Sequence, residues 1–254
     1  MAKKYKMKIS IITVCYNSSN TIEKTLKSIQ NQTYKNIEYI LIDGGSKDST
    51  LVIASKYKSI INHLVSEPDK GLYDAMNKGV NMASGDLVGI LNSDDIFADE
   101  FVLEKLAKFH QENDIDASIG NITQFNESGR TVRKYSSKSW TPEKLKIGFM
   151  PPHPSIFFKR DLFDNYGKYR LDFVSGSDYE LIIRFFLTNK ITWKYSGITT
   201  TAMLIGGISS SGYKSYKVIS REIKKALELN NIKFSYFKVL SRVIWKLNGV
   251  LKKK

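Results

Sequence analysis

Cysteine is nearly absent from this 254-residue chain, since Cys15 is the single one and no disulfide can form within the chain. One cysteine is typical of a protein in a reducing compartment, so we expect a cytoplasmic location. No apolar run reaches the roughly 18 residues that a membrane-spanning helix needs. The basic residues 1–8 lead into a strand-like segment without a small-residue cleavage site. We therefore expect neither a bilayer-spanning segment nor a secretory signal.

Acidic residues are scarce in the C-terminal part of the chain. Residues 213–254 contain twelve Lys and Arg but only two Glu, so they carry +10 of the formal net charge of +14. The preceding 212 residues carry only +4. Domains that bind nucleic acid usually show a basic stripe over the folded surface. We therefore expect no nucleic-acid partner for the body of the protein.

The first half of the chain alternates strand and helix signals. Strands are predicted over residues 9–15, 37–43, 63–66 and 87–91, and helices over 21–30, 49–57, 73–83 and 100–113. This order predicts an α/β fold with a mostly parallel, Rossmann-like sheet flanked by helices. Ligands of such sheets bind at the carboxyl ends of the strands. Polar loops follow all four predicted strands, and we expect these loops to converge.

The pattern changes after residue 120. Short strands are predicted over 119–125, 131–135 and 155–158, and a helix over 177–187. Glycine and serine then dominate residues 206–212, which we interpret as a loop that closes over a ligand. No internal repeat and no autonomous second domain is evident.

The apolar run at residues 87–91 ends in Asn92, Ser93 and the adjacent carboxylates of Asp94 and Asp95. Carboxylates at a strand end indicate a site for a hard cation such as Mg²⁺ or Mn²⁺. Such an ion needs only one or two protein carboxylates when a diphosphate supplies the other ligands. An Asn/Ser/Asp turn after a buried strand would explain the same residues on local grounds.

Six short motifs, in order along the chain, decide between these explanations. They lie at residues 13–17 (TVCYN), 43–48 (DGGSKD), 69–77 (DKGLYDAMN), 85–86 (GD), 92–95 (NSDD) and 177–180 (SDYE). Together they resemble the family 2 glycosyltransferases, the inverting, nucleotide-sugar-dependent enzymes with the GT-A fold. The resemblance implies one glycosyltransferase domain over 1–212, with a nucleotide-sugar-binding half at 8–120 and an acceptor-side half at 121–212. Residues 69–77 and 206–209 look most like bacterial O-antigen or capsular enzymes.

The resemblance implies a UDP-sugar donor and a position for its base. Backbone around Val14 and Tyr16 would border the nucleobase. Asp43 would accept a hydrogen bond from the uracil ring N–H, because a carboxylate is an acceptor only. A turn or helix N-cap role would also explain Asp43, and we interpret Asp48 as such a cap.

Further donor-side residues follow from the same resemblance. Asp74 or Asn77 would hold sugar hydroxyls, and Ser93 lies within the donor-binding motif. Lys70 and His153 are candidates to support the negative charge of the departing UDP. A solvated surface lysine and a structural histidine are the alternatives for these two residues.

The metal site carried over from the family is centred on Asp94. Asp94 would bind Mg²⁺ or Mn²⁺, with Asp95 as a second ligand or an outer partner. Asn92 stands where the family motif has its first acidic residue. An amide accepts hydrogen bonds but carries no charge, so this departure puts a ribose or metal contact at Asn92 in question.

Asp178 occupies the position of the family's catalytic base, at the start of the predicted helix over 177–187. Inversion requires an acceptor hydroxyl to attack from the face opposite the leaving UDP, and a carboxylate can remove its proton. Glu180 is the reserve candidate, and Arg184 could pair with either acid. Helix capping and a favourable interaction with the helix dipole form the alternative explanation of Asp178.

The basic tail at 213–254 contains an amphipathic pattern. Its apolar side comprises Tyr236, Phe237, Leu240, Val243, Ile244, Leu247 and Leu251, and its basic side comprises Lys238, Arg242 and Lys246. Such a helix binds at an anionic membrane surface. We expect peripheral contact with the inner face of the cell membrane, where polyprenyl-linked acceptors are found. A helix packed on the catalytic domain is the alternative.

The leading hypothesis is an inverting glycosyltransferase that moves a sugar from a UDP-sugar to a hydroxyl of a polyprenyl-diphosphate-linked saccharide acceptor in bacterial surface polysaccharide synthesis. One alternative is a catalytically inactive protein that binds nucleotide-sugars or nucleic acid. Another is a sugar nucleotidyltransferase, which would need a glycine-rich loop with basic residues for a triphosphate. Residues 13–20 contain neither a glycine nor a basic residue, which disfavours that class.

Overall fold

The structure is a computed structural model and describes residues 7–126, 128–205 and 212–235. The strands are β1 (Ile9–Cys15), β2 (Ile37–Asp43), β3 (His63–Ser66), β4 (Leu87–Ile90), β5 (Asp95–Phe97), β6 (Ala117–Phe125), β7 (Thr131–Tyr135), β8 (Ile156–Lys159) and β9 (Trp193–Leu204). The α-helices are α1 (Ile22–Gln30), α2 (Thr50–Ser55), α3 (Leu72–Met82), α4 (Val102–Glu112), α5 (Asp161–Tyr166), α6 (Ser177–Ile183) and α7 (Gly212–Leu229). Short 3-10 helices occupy Pro142–Ile147 and His153–Ser155, and a π-helical turn at Arg184–Thr188 continues α6.

All the described strands belong to one sheet with the order β3-β2-β1-β4-β8-β6-β9-β5, and β7 pairs with β6. The first four strands are mutually parallel, as predicted. Strand β8 is antiparallel to both β4 and β6, while β6 and β9 are parallel. The predicted α/β fold is therefore confirmed, with a parallel first half and a mixed second half.

Strand β1 is buried along its whole length, because both faces of the sheet are covered. Neighbouring residues of a strand point to opposite faces, so Ile12 belongs to one core cluster and Ile11 to the other. Helix α3 lies very close to β1, since a Cβ atom placed on Gly79 would overlap the side chain of Ile12. This packing brings the start of α3 to the carboxyl end of the parallel strands.

Strand β9 is the longest described strand, with 12 residues, and was not predicted from the sequence. Its residues do not alternate regularly between buried and exposed positions. Gly197 interrupts the strand with a φ of 73°, and the pairing with β6 shifts register nearby. The short elements β5 and α5 were also not predicted.

Helix α7 extends the folded body beyond the predicted boundary at residue 212. Ile223, Ala226 and Leu227 belong to the larger core cluster, and Glu222 is buried. The part of the predicted tail from Ile219 to Leu227 is thus packed on the rest of the protein. The predicted loop at 206–209 and the basic segment from residue 236 onward lie outside the described residues. No helix in the described part is long and apolar enough to cross a membrane.

Candidate active site

Hydrogen bonds join the loops that follow the parallel strands. The backbone N–H of Asn17 donates to Ser46 Oγ at 2.8 Å, which ties the β1 loop to the β2 loop. The hydroxyls of Ser18 and Ser93 lie 2.9 Å apart and tie the β1 loop to the β4 loop. The β3 loop reaches the same place through Asp69, beside the β2 loop. The predicted convergence of the four loops is confirmed.

Asp43 ends β2 and is completely buried. Its carboxylate accepts hydrogen bonds from Ser66 Oγ at 2.7 Å, from the backbone N–H of Ser46 at 3.0 Å and from the backbone N–H of Gly45 at 3.2 Å. The hydroxyl of Ser46 donates to it as well. Burial alone would raise the pKa of Asp43, but the hydrogen bonds from Ser46 and Ser66 outweigh it and lower the pKa below its ordinary value. Asp43 thus organises the loop, and its contact with a nucleobase stays a prediction.

Val14 and Tyr16 lie at the end of β1 in very different environments. Val14 is buried in the core, whereas the Tyr16 side chain is 62% exposed. The backbone after Tyr16 is fixed, because Asn17 has a φ of 48° and its side-chain oxygen accepts from the N–H of Lys47 at 2.9 Å. Tyr16 therefore presents an exposed ring on a well-defined loop.

The Asp48 carboxylate accepts a hydrogen bond from the backbone N–H of Thr50 at 2.9 Å. Thr50 is the first residue of α2 and Ser49 is its N-cap, so Asp48 lies one residue before the capping position predicted for it and holds the start of the helix from there.

Asp94 and Asp95 follow β4 and are not neutralised by any basic residue in the described chain. Burial raises the pKa of both, and the charge of Asp94 raises that of Asp95 further. The side-chain oxygen of Asn92 is buried and has no hydrogen-bond partner within the described ranges. The amide nitrogen of Asn92 lies 3.4 Å from Asp95 Oδ2. Two unneutralised carboxylates and an unpaired amide oxygen fit a divalent cation.

The protein supplies only part of a coordination sphere at this position. No group of three or more His, Cys, Asp or Glu side chains in the described residues is placed to hold a metal ion. An ion at Asp94 would need further oxygen ligands, which a diphosphate and water would provide. Asp95 is only 1% exposed, which suits an outer partner better than a direct ligand.

Asp178 lies in the first turn of α6 and is partly exposed. The Tyr73 hydroxyl donates to its Oδ1 at 3.2 Å, and the backbone N–H of Tyr179 donates at 2.8 Å. Burial raises the pKa of Asp178, and the nearby His153 together with these hydrogen bonds opposes the rise. A carboxylate with a raised pKa and a fixed orientation is suited to accept a proton.

Tyr169 connects several predicted residues beneath Asp178. His153 Nε2 lies 2.9 Å from Tyr169 Oη, and the rings of Tyr73 and Tyr169 stack with centroids 5.9 Å apart. Burial lowers the pKa of His153, and the nearby Asp178 carboxylate opposes this effect. The Asn77 side chain donates to the Tyr169 carbonyl at 2.7 Å and accepts from its N–H at 2.9 Å. His153 and Asn77 hold this tyrosine in place, and their ligand contacts stay predictions.

Lys70 and Asp74 lie at the start of α3. The Lys70 side chain is exposed, and its backbone N–H donates to Asp74 Oδ2 at 3.0 Å. Asp74 therefore ties the residue before the N-cap Gly71 to the first turn of α3, and the proposed contacts of both residues with a ligand stay predictions.

Glu180, the reserve base, is bound in a buried ion pair. Arg184 donates to its two carboxylate oxygens at 3.1 and 2.9 Å, and Glu180 is only 2% exposed. Arg184 also donates to the Lys168 carbonyl at 2.8 Å, next to Tyr169. The arginine pairs with Glu180 and leaves Asp178 as the accessible acid of α6.

Glu222, for which the sequence predicts no role, fixes the segment before α6. Its carboxylate accepts from the backbone N–H groups of Val174 at 2.6 Å and Ser175 at 2.9 Å. The contacts span 48 and 47 residues, so no local sequence pattern could predict them.

The known proteins that match this chain in sequence are described as glycosyltransferases. The family described as glycosyl transferase family 2 matches residues 10–169. An uncharacterized glycosyltransferase of Mycobacterium tuberculosis is 32% identical over 181 residues, which are 69% of this chain and 68% of that protein. A PGL/p-HBAD biosynthesis glycosyltransferase of Mycobacterium bovis is 28% identical over 87% of this chain and 84% of that protein.

Solved structures share the fold. S. aureus TarS 1-349 superposes with a TM-score of 0.68 and 22% identity, covering 87% of this chain and 65% of that one. The mannosyltransferase PcManGT of Pyrobaculum calidifontis, solved with GDP-Man and Mn2+, gives a TM-score of 0.64 and 18% identity over 89% of this chain. This chain thus spans less than two thirds of the solved TarS fragment. With the GT-A fold and a family match across most of its length, the chain belongs to glycosyl transferase family 2.

Proposed function

We propose that this protein is an inverting glycosyltransferase that moves a sugar from a UDP-sugar to a hydroxyl of a saccharide acceptor. The observation that carries the proposal is the partly exposed Asp178 carboxylate, whose pKa is raised and which Tyr73 holds from helix α3. Helix α3 begins at the converged loops of the parallel strands, where α/β folds bind ligands. The hydrogen bond from Tyr73 thus links the proposed proton acceptor, Asp178, to the loops where the sugar donor would bind.

The roles of the residues follow from this arrangement. Asp178 would take the proton of the acceptor hydroxyl as its oxygen attacks the anomeric carbon, and UDP would leave from the opposite face. Asp94 would hold Mg²⁺ or Mn²⁺, with Asp95 as an outer partner. When bound, the ion would supply positive charge next to the diphosphate. Lys70 and His153 remain candidates to support the leaving group.

The uridine nucleotide and the acceptor are proposed on the basis of relatives and charge. TarS has been solved in complex with UDP-GlcNAc and with UDP. We propose a lipid-linked acceptor in bacterial surface polysaccharide synthesis, such as an O-antigen or capsule. The net charge of +10 at 213–254 supports a cytoplasmic protein bound to the inner face of the cell membrane.

The test compares wild type with Asp178→Asn. UDP binding is measured by calorimetry with and without Mn²⁺, and UDP release is measured with a panel of UDP-sugars and lipid-linked acceptors. We expect Mn²⁺-dependent UDP binding in both proteins and a loss of transfer of about 100-fold or more in the variant, because a positioned base contributes that much. The exposed Asp161 provides the matched control, and Asp161→Asn should transfer like wild type.

Three outcomes would contradict the proposal in different ways. Undiminished transfer by Asp178→Asn would exclude Asp178 as the base. Preference for GDP over UDP would overturn the choice of nucleotide. Nucleotide binding by the wild type without transfer from any UDP-sugar would favour the alternative of an inactive binding protein.

A further inference from the structure

Helix α7 contains a buried acid, Glu222, that pairs with no basic residue in the described part of the chain. Its Oε1 accepts a hydrogen bond from the backbone N–H of Val174 at 2.6 Å. Its Oε2 accepts from the backbone N–H of Ser175 at 2.9 Å and from the Ser175 hydroxyl at 3.0 Å. A buried carboxylate is stable only when its oxygens are hydrogen-bonded, and here one short segment supplies the donors for both oxygens.

The segment that Glu222 binds is not held by burial of its own side chains. The Val174 side chain is 81% exposed, and Ser175 is exposed as well. A Cβ atom built on the following Gly176 would lie 3.0 Å from Glu222 Cβ and 3.1 Å from Glu222 Oε2, so the backbone runs directly against α7. Because an exposed segment has few packing contacts, the hydrogen bonds to Glu222 are what fix its backbone.

Lys225 strengthens this attachment from the next turn of α7. Its Nζ lies 2.8 Å from Asp172 Oδ2 and 4.3 Å from the centroid of the Phe173 ring. Residues three apart on a helix share one face, so Glu222 and Lys225 act on the same stretch of chain. Together they hold the consecutive residues 172–175.

The end of α7 also contacts the chain that follows Asp178. The Asn230 side chain donates to Glu180 Oε1 at 3.2 Å, and its oxygen accepts from the Thr188 hydroxyl at 3.0 Å. Helices α6 and α7 pack against each other between these contacts. The chain before Asp178 and the chain after it are thus both attached to α7.

We propose that Glu222 is a positioning residue for the acceptor step, because it holds the segment that leads into α6 and so fixes the place of the Asp178 carboxylate. This inference rests on the proposed function, since it concerns the base of the same reaction. The donor would bind at the converged loops of the parallel strands, whereas the contacts of Glu222 described above lie in the second half of the chain. Glu222 should therefore govern transfer to the acceptor and not nucleotide binding.

The position of the base matters because proton transfer needs a short contact. The oxygen of the base must come within about 3 Å of the acceptor hydroxyl. A misplacement of about 1 Å can lower a rate by about 100-fold. Tyr73 holds the Asp178 carboxylate itself from α3, and Glu222 holds the backbone that precedes it from α7.

The closing experiment uses the full chain and compares wild type with Glu222→Gln. Calorimetry gives the affinity for UDP with Mn²⁺, and kinetics give kcat and KM for the acceptor with the UDP-sugar and lipid-linked acceptor that wild type uses fastest. Glutamine has the shape of glutamate but a single acceptor oxygen, so one of the two backbone N–H groups loses its partner. We expect kcat/KM for the acceptor to fall by about tenfold or more, with an unchanged affinity for UDP.

Gly176→Ala provides a second variant that leaves the charge of Glu222 unchanged. Its methyl group would press against Glu222 and move the carboxylate away from the segment, so kcat/KM for the acceptor should fall here too. Hydrogen exchange gives a readout that does not depend on activity. The amides of Val174 and Ser175 should exchange faster in both variants, and those of β1 should exchange as in wild type.

Glu228→Gln is the matched control, since it removes the same charge from the same helix. Glu228 is exposed and lies 3.7 Å from Lys224 at the surface, so this variant should transfer like wild type. Thermal unfolding of each variant sets an assay temperature well below its midpoint. A lower rate then reflects the site and not a loss of folded protein.

The outcomes separate this inference from the proposed function. If wild type transfers a sugar and both variants keep its kcat/KM for the acceptor, the role of Glu222 is overturned while the proposed function stands. A parallel loss of UDP affinity would mean that Glu222 supports the whole site, which also overturns a positioning role. A wild type that transfers no sugar overturns both. Reduced transfer in Glu222→Gln and Gly176→Ala, with wild-type UDP affinity and normal transfer in Glu228→Gln, supports the assignment.

Discussion

Tyr73 controls the charged form of Asp178 through one hydrogen bond. Its hydroxyl donates to the carboxylate, which favours the ionised acid and opposes the effect of burial on the pKa. In Tyr73→Phe the pKa of Asp178 should rise further. A base acts in its deprotonated form, so activity is lost as the pH falls through this pKa. The acid limb of the kcat/KM profile should therefore move to higher pH by roughly one unit.

The pH profile of transfer, measured for wild type and Tyr73→Phe, checks this prediction. Tyr195→Phe is a matched control, because the Tyr195 hydroxyl contacts Asn121 at 3.1 Å instead of an acid of α6. An acid limb that stays in place in Tyr73→Phe would exclude the proposed effect on Asp178.

Local motifs predicted the residues at the strand ends, but they could not predict the partners of these residues. Asp178, Asp94 and Asp43 each follow or begin an element with a recognisable sequence signal. The bond from Tyr73 to Asp178 spans 105 residues, and the bonds from Asn77 to Tyr169 span 92. Such contacts depend on the packing of α3 against the second half of the chain, which no local pattern encodes.

At the scale of elements, the contact between α3 and β1 sets the position of the site. Gly79→Ala would place a methyl group against the buried side chain of Ile12. Alanine gains about 1 kcal/mol of helix propensity over glycine, but overpacking of a rigid core costs about 1–3 kcal/mol. We expect a net loss of stability of about 1 kcal/mol, visible as a lower urea midpoint.

A double-mutant cycle isolates the cause of that loss. In combination with Ile12→Ala, which removes the atoms that clash, Gly79→Ala should cost less than it does alone. Asn81→Ala tests an exposed position of the same helix and should be nearly neutral. Additive costs for Gly79→Ala and Ile12→Ala would show that the close approach of α3 is not the reason.

The elements that were predicted share a clear burial pattern, and those that were missed lack one. Strands β1 and β2 are mostly apolar and buried on both faces, and their ends were placed correctly. Strand β9 mixes exposed, half-buried and buried residues and contains Gly197. Its aromatic and β-branched residues favour a strand, but the irregular burial pattern hides it, and its place between β6 and β5 follows from pairing with partners distant in sequence.

At the scale of the whole molecule, the charge is divided between a nearly balanced body and a basic C-terminal part. The proposed membrane contact predicts that the full chain sediments with vesicles containing phosphatidylglycerol but not with pure phosphatidylcholine. Replacing Lys238, Arg242 and Lys246 together by Gln should weaken this binding by about 100-fold at low salt, because each cation contributes about 1 kcal/mol.

The control for this experiment removes the same three positive charges from residues 1–212. Lys56, Lys58 and Lys108 are exposed on the described surface, and their joint replacement by Gln should leave vesicle binding nearly unchanged. Equal losses in the two triple variants would mean that net charge, and not the C-terminal part, governs binding. The sequence predicted the charge distribution at this scale, but it placed the start of the tail before α7, which the structure packs into the core.

The anchoring of Val174 and Ser175 by Glu222 has a consequence for how the enzyme is made. Asp178 follows this segment, yet the carboxylate that fixes it belongs to α7 and is synthesised more than forty residues later. Protein synthesis proceeds from the N-terminus, so the loops that follow the parallel strands can form while α7 is still in the ribosome. The segment that leads into Asp178 therefore gains its anchor only after α7 has left the ribosome, later than the loops that follow the parallel strands.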